Sequence, residues 1–363
     1  MVSKHAFWLI AVSGLAPMLS GVEPRIAPVP SDPLEIVTGN IKSADKPARR
    51  KAAADLLARA RNSYGLRYSG RAYDLKVTFT VDSGGQTDYD GAWQMEDVFD
   101  PQQGLRWTAR MGAAYSITEI ISNEVAFGDG TGDHIPLRLQ EARAALLDPM
   151  PAAGNVQRSA IRTSKAFYNG VELSCVLLSG AGNRTAAGRQ WDETEECIDP
   201  KSGLLQVHSQ IPGRYYAYDY SNAPQLDGRM LPHKVIVTEA GKKVSEITVQ
   251  SLTEIPGADP SLFIPTEAMK QRGRAVVMGP MQRISRFSGP GPFAAGTTAQ
   301  PVCIFGLVTP SGQLVEAHSL QPTDPNSNRA LEAAKLLDFS PTDPSVRRPQ
   351  QHFVFIIEKF VSQ

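Results

Sequence analysis

The chain has 363 residues, 42% of them hydrophobic and 20% charged, which is ordinary for a soluble globular protein of about two folded units. Its 37 lysines and arginines balance 37 aspartates and glutamates, which argues against a global electrostatic footprint for nucleic acid or an anionic membrane. One basic stretch free of acids carries Lys270, Arg272, Arg274, Arg283 and Arg286. It is interpreted as a solvated linker or as a contact for anionic lipid or a partner.

The N-terminus is typical of a secretory signal. Lys4 and His5 precede an apolar run from Ala6 to Ala16, and Pro17 and small residues follow it. The pattern predicts a signal peptide over residues 1–21, removal near Ser20–Gly21, and export to the periplasm. The apolar run is shorter than the roughly 20 residues that span a bilayer, so no transmembrane span is expected in the mature chain. An uncleaved inner-membrane anchor is the alternative.

Residues 22–65 combine a proline-rich leader with an alanine-rich helix. Pro47 stands in the first turn of that helix, Asn62 near its end, and Gly65 just beyond it. Ala53, Leu56, Leu57 and Ala60 share one side, so the helix is expected to pack on another element.

Strand patterns dominate residues 66–268. Apolar residues alternate with polar ones from Tyr73 to Val81, the period of a half-buried strand. Asn169-Gly170 joins two further runs and is a strong hairpin signal. Helical spacing returns over 135–147. About ten strands, two helices and hairpin connections predict an α+β, mostly antiparallel fold, with a curved sheet holding a helix in its concavity.

Three cysteines are present. Cys175 and Cys197 lie on neighbouring strand-like runs, and in an oxidising compartment they are expected to form a cross-strand disulfide. Cys303 is left on an apolar run and is interpreted as a buried thiol.

Short anchors in residues 66–268 resemble the LolA-type lipoprotein-carrier family. They are Tyr89-Asp90-Gly91-Ala92-Trp93, Asp199-Pro200-Lys201-Ser202-Gly203-Leu204-Leu205 and Asp259-Pro260-Ser261-Leu262-Phe263. The resemblance implies a half-barrel in which a hydrophobic cavity holds acyl chains. The aromatic residues available to an apolar groove are Trp93, Trp107, Tyr216, Tyr218 and Tyr220. The alternative is that the tyrosines fill the core of the sheet.

Residues 269–299 are rich in glycine and proline and predict an irregular, mobile linker. Residues 300–363 then read as strand, turn, strand, helix and strand, with the helix over 329–337. Gly306-Leu307-Val308, Gly312-Gln313-Leu314, Phe339-Ser340-Pro341 and Phe360 resemble the C-terminal domain of the TonB family. The family's Tyr-Pro motif and long spacer are absent, so force transduction is not expected.

A protein-interaction module is what the TonB resemblance implies. The last strand of this module is predicted to lie at the edge of its sheet and to pair there with a strand of the partner. The residues of this predicted edge are Phe353, Val354, Phe355, Ile356 and Ile357. Both faces of this strand are apolar, so one should pack on the helix and the other on the half-barrel or a partner. The unit is expected to fold independently.

No nucleophile elbow, phosphate loop, dinucleotide motif or metal-ligand spacing is present in the sequence. The sequence therefore predicts no catalytic residues, no metal and no cofactor. The acidic cluster Asp192-Glu193, Glu195-Glu196 and Asp199 is interpreted as solvated rather than catalytic.

Two hypotheses follow. The first is a non-enzymatic envelope protein, related to transport, that docks an envelope partner by β-augmentation. The second is a periplasmic carrier of a lipid or another apolar ligand. An apolar concave cavity would favour the carrier, and a filled concavity would favour docking.

Overall fold

The computed structural model describes residues 34–36, 41–122, 125–180, 188–288, 299–341 and 349–361. The predicted signal peptide and the segment 289–298 of the predicted linker lie outside the described residues. Within the described ranges, no helix is both long enough and apolar enough to cross a membrane.

The fold is mostly antiparallel β with few helices, as predicted. The strands are β1 (Glu35–Ile36), β2 (Lys42–Ser43), β3 (Tyr73–Val81), β4 (Gly91–Asp100), β5 (Gly104–Met111), β6 (Tyr115–Ser122), β7 (Val125–Gly130), β8 (Ala160–Tyr168), β9 (Val171–Ser179), β10 (Thr194–Ile198), β11 (Leu205–Ile211), β12 (Arg214–Asp219), β13 (Gln225–Leu226), β14 (Arg229–Met230), β15 (Lys234–Glu239), β16 (Lys242–Glu254), β17 (Val277–Met278), β18 (Gln282–Ser288), β19 (Ala299–Val308), β20 (Leu314–Ser319) and β21 (Gln350–Val361). The helices are α1 (Pro47–Tyr64), α2 (Leu137–Leu147), α3 (Ala153–Arg158), α4 (Glu267–Arg272) and α5 (Ser327–Lys335), with 3-10 turns at Leu66–Ser69 and Pro260–Phe263.

A large curved sheet, not closed into a barrel, forms the half-barrel. Its strand order is β1-β8-β9-β10-β11-β12-β15-β16-β3-β4-β5-β6-β7, and β2 also pairs with β8. Most neighbours are joined by hairpins, but β16 returns to pair with β3 over nine residue pairs. The predicted hairpin at Asn169-Gly170 is present, with left-handed φ values of 49° and 77° at its two central residues.

The concave face of the half-barrel carries the largest hydrophobic core. Strand residues such as Val77, Phe79 and Val237 pack there against α1 and α2. In α1 the buried residues are Ala53, Leu56, Leu57, Ala60 and Tyr64, which includes the four predicted from helical spacing. The concavity is therefore filled by helices rather than left as an open cavity.

A second sheet has the order β18-β21-β19-β20, and β17 extends the β18 edge beside β21. The predicted order of strand, strand, helix and strand is present as β19, β20, α5 and β21. We call residues 267–361 of the described chain the C-terminal unit. One face of its sheet packs on α5 through Ile304, Val354 and Ile356.

The other face of this sheet packs on the half-barrel. Phe305, Leu307 and Phe355 join one buried cluster with Leu137 of α2 and Ile211 of β11. The sequence predicted that the half-barrel or a partner would cover this face, and in the structure the half-barrel covers it.

The predicted linker was wrong over residues 269–288. Met269 of α4 is buried against Val98 and Ile120, and the Ala275 N–H donates to Ala126 O at 2.9 Å on the edge of β7. β17 and β18 pair in parallel with β21. A parallel partner comes from a distant part of the chain, and the local glycine and proline pattern carries no sign of it.

The predicted partner-strand edge was also wrong. β21 lies inside its sheet, with β19 on one side and β17 and β18 on the other. Phe353, Val354, Phe355, Ile356 and Ile357 are all buried. The backbone groups of this strand are thus already used within the chain.

Candidate ligand-binding cleft

The five predicted groove aromatics lie in the concave core. Trp93 stacks on Phe79 with ring centroids 5.4 Å apart, and Trp107 donates its Nε1–H to Glu119 Oε2 at 2.7 Å. The rings of Tyr218 and Tyr220 lie 6.2 Å and 6.4 Å from that of Tyr64 on α1. Tyr216 is fully buried. The groove interpretation of these residues was wrong, because α1 and α2 occupy the space that a ligand would need.

The acidic cluster is largely buried rather than solvated. Arg162 holds Glu193 through two contacts of 2.6 Å, and Arg189 approaches Glu195 at 3.1 Å. Alternation along β10 turns Glu196 to the opposite, concave face. The interpretation as a solvated acidic face was therefore wrong for Glu193, Glu195 and Glu196.

The predicted disulfide is confirmed. Cys175 and Cys197 face each other directly in the β9–β10 pair, their Cα atoms are 4.0 Å apart, and the sulfurs are bonded. Cys303 is free and buried, and burial raises the pKa of its thiol. Among the described residues, Glu195 lies close enough to both bonded cysteines to suggest a metal site, but the disulfide removes the two thiolates.

A buried charge network lies between α2, the half-barrel and the C-terminal unit. Arg138 binds Glu239 through contacts of 2.7 Å and 2.9 Å and Glu141 at 2.9 Å, while Arg214 binds Glu239 at 2.8 Å and also contacts Glu141. The guanidinium of Arg214 lies 4.0 Å from the ring centre of Phe305. The two arginines lower the pKa of Glu239 to about 2 despite its burial, which alone would raise it. The negative charges of Glu141 and Glu239 are thus balanced by the positive charges of Arg138 and Arg214.

Glu316 of β20 caps the N-terminus of α2. The Leu137 N–H donates to Glu316 Oε1 at 2.7 Å, and His134 Nε2 lies 3.2 Å from the same oxygen. A carboxylate at this position satisfies a free backbone donor and complements the helix dipole. We call this contact the Glu316 cap. Nearby, Gln351 Nε2 donates to Ile135 O at 2.9 Å, so a second side chain ties the C-terminal unit to α2.

A cleft of about 410 Å³ opens where the half-barrel, the α2–α3 region and the start of β18 meet. Its apolar lining comes from Met150, Leu178 and Met281. Its polar lining includes Glu196, His208, Gln210, Arg158 and Arg283. The volume falls within the range of small-molecule sites, and both folded units contribute walls.

Three side chains of the cleft each have one buried polar atom without a hydrogen-bond partner in the described chain. Glu196 and His208 are register neighbours on β10 and β11, with Glu196 Oε1 3.7 Å from His208 Nδ1. Glu196 Oε2, His208 Nδ1 and Arg283 Nε are all buried and form no hydrogen bond within the described chain. Arg283 donates from Nη2 to Gln210 O at 2.7 Å, which anchors it across the boundary between the two units. Buried polar atoms normally have partners, so this concentration at one cleft points to a ligand.

The charge states of these groups follow from burial. Burial raises the pKa of Glu196 to about 8, so the carboxyl group is mainly protonated at pH 7. Burial, and then the positive charges of Arg189, Arg214 and Arg283, lower the pKa of His208 to about 3, so the imidazole is neutral. The inner wall of the cleft then offers a neutral acid, a neutral imidazole and one guanidinium. This wall can bind polar or anionic groups beside an apolar surface.

Sequence reasoning missed His208 and gave Glu196 no role. It named Arg283 only as one of five basic residues that were interpreted as a solvated linker or as a contact for anionic lipid or a partner. The alternation of β10 places Thr194 and Glu196 on the concave side, a signal that was available. Arg283 could not be placed, because β18 reaches the cleft only through its long-range pairing with β21.

The chain was compared with protein-family models, with curated proteins and with solved structures. No family model matches the chain, and no curated protein matches it. Solved structures that are similar in part include a DUF1329 family protein from Desulfovibrio piger, at 10% identity and a TM-score of 0.37, over 60% of this chain and 98% of that chain.

Two other solved structures are also similar in part. A LolA superfamily protein from Nitrosomonas europaea is similar at 11% identity and a TM-score of 0.36, over 59% of this chain and 97% of that chain. A putative outer membrane lipoprotein-sorting protein domain from Vibrio parahaemolyticus has 8% identity and a TM-score of 0.36, over 59% and 97% of the two chains.

Proposed function

We propose that this chain is an exported, non-enzymatic cell-envelope protein that carries an amphipathic ligand with an apolar tail, such as a lipid. The ligand binds in the cleft between the half-barrel and the C-terminal unit. The observation that carries the proposal is the pairing of an apolar lining with buried polar atoms that have no partner in the described chain.

A filled concave face was the outcome expected for docking, so the carrier hypothesis is kept only in a modified form. The concave face is filled by α1 and α2, so the ligand is held at the end of the concavity rather than along it. The docking hypothesis loses its proposed strand, because β21 is internal to its sheet. The export and the periplasmic location are part of the proposal and derive from the N-terminal sequence.

Native mass spectrometry of delipidated protein titrated with laurate and with lauryl alcohol tests the proposal. We expect saturable binding of at least one of them at one site. Met281→Arg places a cation in the apolar lining, and we expect it to weaken binding about tenfold or more, because a buried apolar contact is lost.

The matched control is Leu336→Arg, which introduces the same side chain at an exposed apolar position on the C-terminal unit. It should bind like the wild type. If neither probe binds saturably, or if both variants bind equally, the cleft is not a lipid site. Recovery of a stable protein partner instead would favour the docking hypothesis.

A further inference from the structure

We infer that the cleft selects ligands with an acidic head, a carboxylate or a phosphate, and that Arg283 is the residue that recognises this head. The inference rests on the proposed function and specifies the polar end of its ligand. It follows from three observations on geometry and charge.

The first observation is the position of Arg283. Its guanidinium uses Nη2 to bind Gln210 O, which fixes the side chain against β11, while Nε stays buried and without a partner. An anion in the cleft could accept from this N–H together with a neighbouring N–H of the same fork, in the bidentate manner that guanidinium groups offer to carboxylates and phosphates.

The second observation concerns Glu196 and His208, which line the same cleft as Arg283. Glu196 and His208 each present a buried polar atom without a partner, Oε2 and Nδ1. An ionised Glu196 would repel an anion, but a protonated one can donate a hydrogen bond to it. Burial favours the protonated form at neutral pH. Glu196 and His208 therefore act as neutral hydrogen-bonding groups, and neither adds a charge to the cleft.

The third observation is the surrounding charge. The charged and titratable groups around Glu196 are Arg189, Glu195, His208, Tyr218 and Arg283, and Asp148 and Arg158 lie at the cleft. Arg189 is already engaged by Glu195. With Glu196 and His208 neutral, Arg283 is the cation of the inner wall. Asp192, which is outside the cleft lining, offsets part of its charge, and an acidic head would compensate the rest.

Calorimetric titration of the full protein with laurate, lauryl phosphate, lauryl alcohol and laurylamine tests the inference at constant chain length. We expect the two acidic probes to bind about tenfold or more tightly than the alcohol, and the amine to bind most weakly. Arg283→Gln should remove this preference while the alcohol still binds. The control, Lys270→Gln, changes an exposed cation that pairs with Glu267 and should behave as the wild type.

Inorganic phosphate and acetate separate a lipid head from a free anion. If they bind as tightly as the acidic amphiphiles, the site is a free-anion site and the proposed function fails with the inference. If all four amphiphiles bind equally, or the amine binds best, the acidic head is wrong and the proposed function stands.

A second variant covers the case in which Arg283→Gln does not fold. The wild type should lose laurate affinity as the pH rises through about 8, where Glu196 ionises. Glu196→Gln keeps a neutral hydrogen-bonding group that cannot ionise, so the fall in laurate affinity between pH 7 and pH 9 should disappear in this variant. An unchanged pH profile in the variant would contradict the neutral role of Glu196.

Discussion

At the scale of single residues, two carboxylates that both lie on strands have different roles because their partners differ. Glu196 and Glu316 are both buried. Burial raises the pKa of Glu196 to about 8, although Thr194 and the charges of Arg189 and Arg283 act in the opposite direction. Glu316 is also penalised by burial, but its pKa is lowered to about 2 by hydrogen bonds with His134 and with the Leu137 backbone N–H and by the His318 imidazole 3.7 Å away. Glu196 can therefore contact a ligand as a neutral group, whereas Glu316 stays ionised and has a structural role.

Glu316→Gln should destabilise the protein by about 2–3 kcal/mol, because it removes a buried charged acceptor from the α2 N-terminus and from His134. Chemical denaturation at pH 6 checks this. Glu332→Gln, at an exposed acid that pairs with Lys335 on α5, is the control and should stay within about 0.5 kcal/mol of the wild type.

The Glu316 cap should also be pH dependent. The folded pKa of Glu316 is lowered, so its stabilisation is complete above its unfolded pKa and is lost as the pH falls towards about 2. The pKa of His134 is raised by its carboxylate partners although burial opposes this, so its share is complete below the unfolded pKa and is lost at higher pH. Stability contributed by the cap should peak between about pH 4.5 and 6.5. A Glu316→Gln profile parallel to that of the wild type would contradict this.

At the scale of elements, local patterns predicted most strands and both main helices. The alternation from Tyr73 to Val81 matches β3, and the spacing over 135–147 matches α2 (Leu137–Leu147). Among the elements that escaped are two groups of strands. β6 and β7 lack clean alternation, and β7 includes Gly128 and Gly130, a residue type that is depleted in strands. β17 and β18 are strands only because β21 pairs with them, and a local pattern does not encode a distant partner.

The disulfide belongs to this scale because it joins β9 and β10. Replacing Cys175 and Cys197 by serine should destabilise the protein by about 3 kcal/mol, since the bond closes a loop with a sequence separation of 22. Thermal unfolding of the double variant checks this, with Cys303→Ser as a probe of a buried free thiol. A double variant as stable as the wild type would mean that the β9–β10 pairing alone fixes this part of the sheet.

At the scale of the whole molecule, the sequence predicted two units but not how they are joined. The apolar face of β21 and β19 was expected to meet a second surface, and it packs on the half-barrel. The cleft arises from this packing, because Met281 and Arg283 come from the C-terminal unit and Glu196 and His208 from the half-barrel. The composition of each segment alone therefore could not reveal the site.

Residues 300–363 were expected to fold independently, but the packing of β19 and β21 on the half-barrel argues against this. β21 pairs with residues 277–288, and Phe305 and Phe355 are buried partly by the half-barrel. We expect a fragment of residues 300–363 to be unfolded, and the full chain to lose both units in one transition. Circular dichroism of the fragment checks this. A folded fragment that unfolds cooperatively would show that the C-terminal unit needs neither β18 nor the half-barrel.

The most direct test of the ligand-binding cleft is photo-crosslinking of the full protein with a fatty acid that carries a diazirine in its chain, followed by peptide mapping. We predict crosslinks on both units, in residues 148–159 and around Pro280 and Met281, and competition by unlabelled laurate. Crosslinks confined to the outer face of the half-barrel around Thr78, Gln94 and Arg110, or labelling that laurate does not compete, would contradict a ligand site in the cleft.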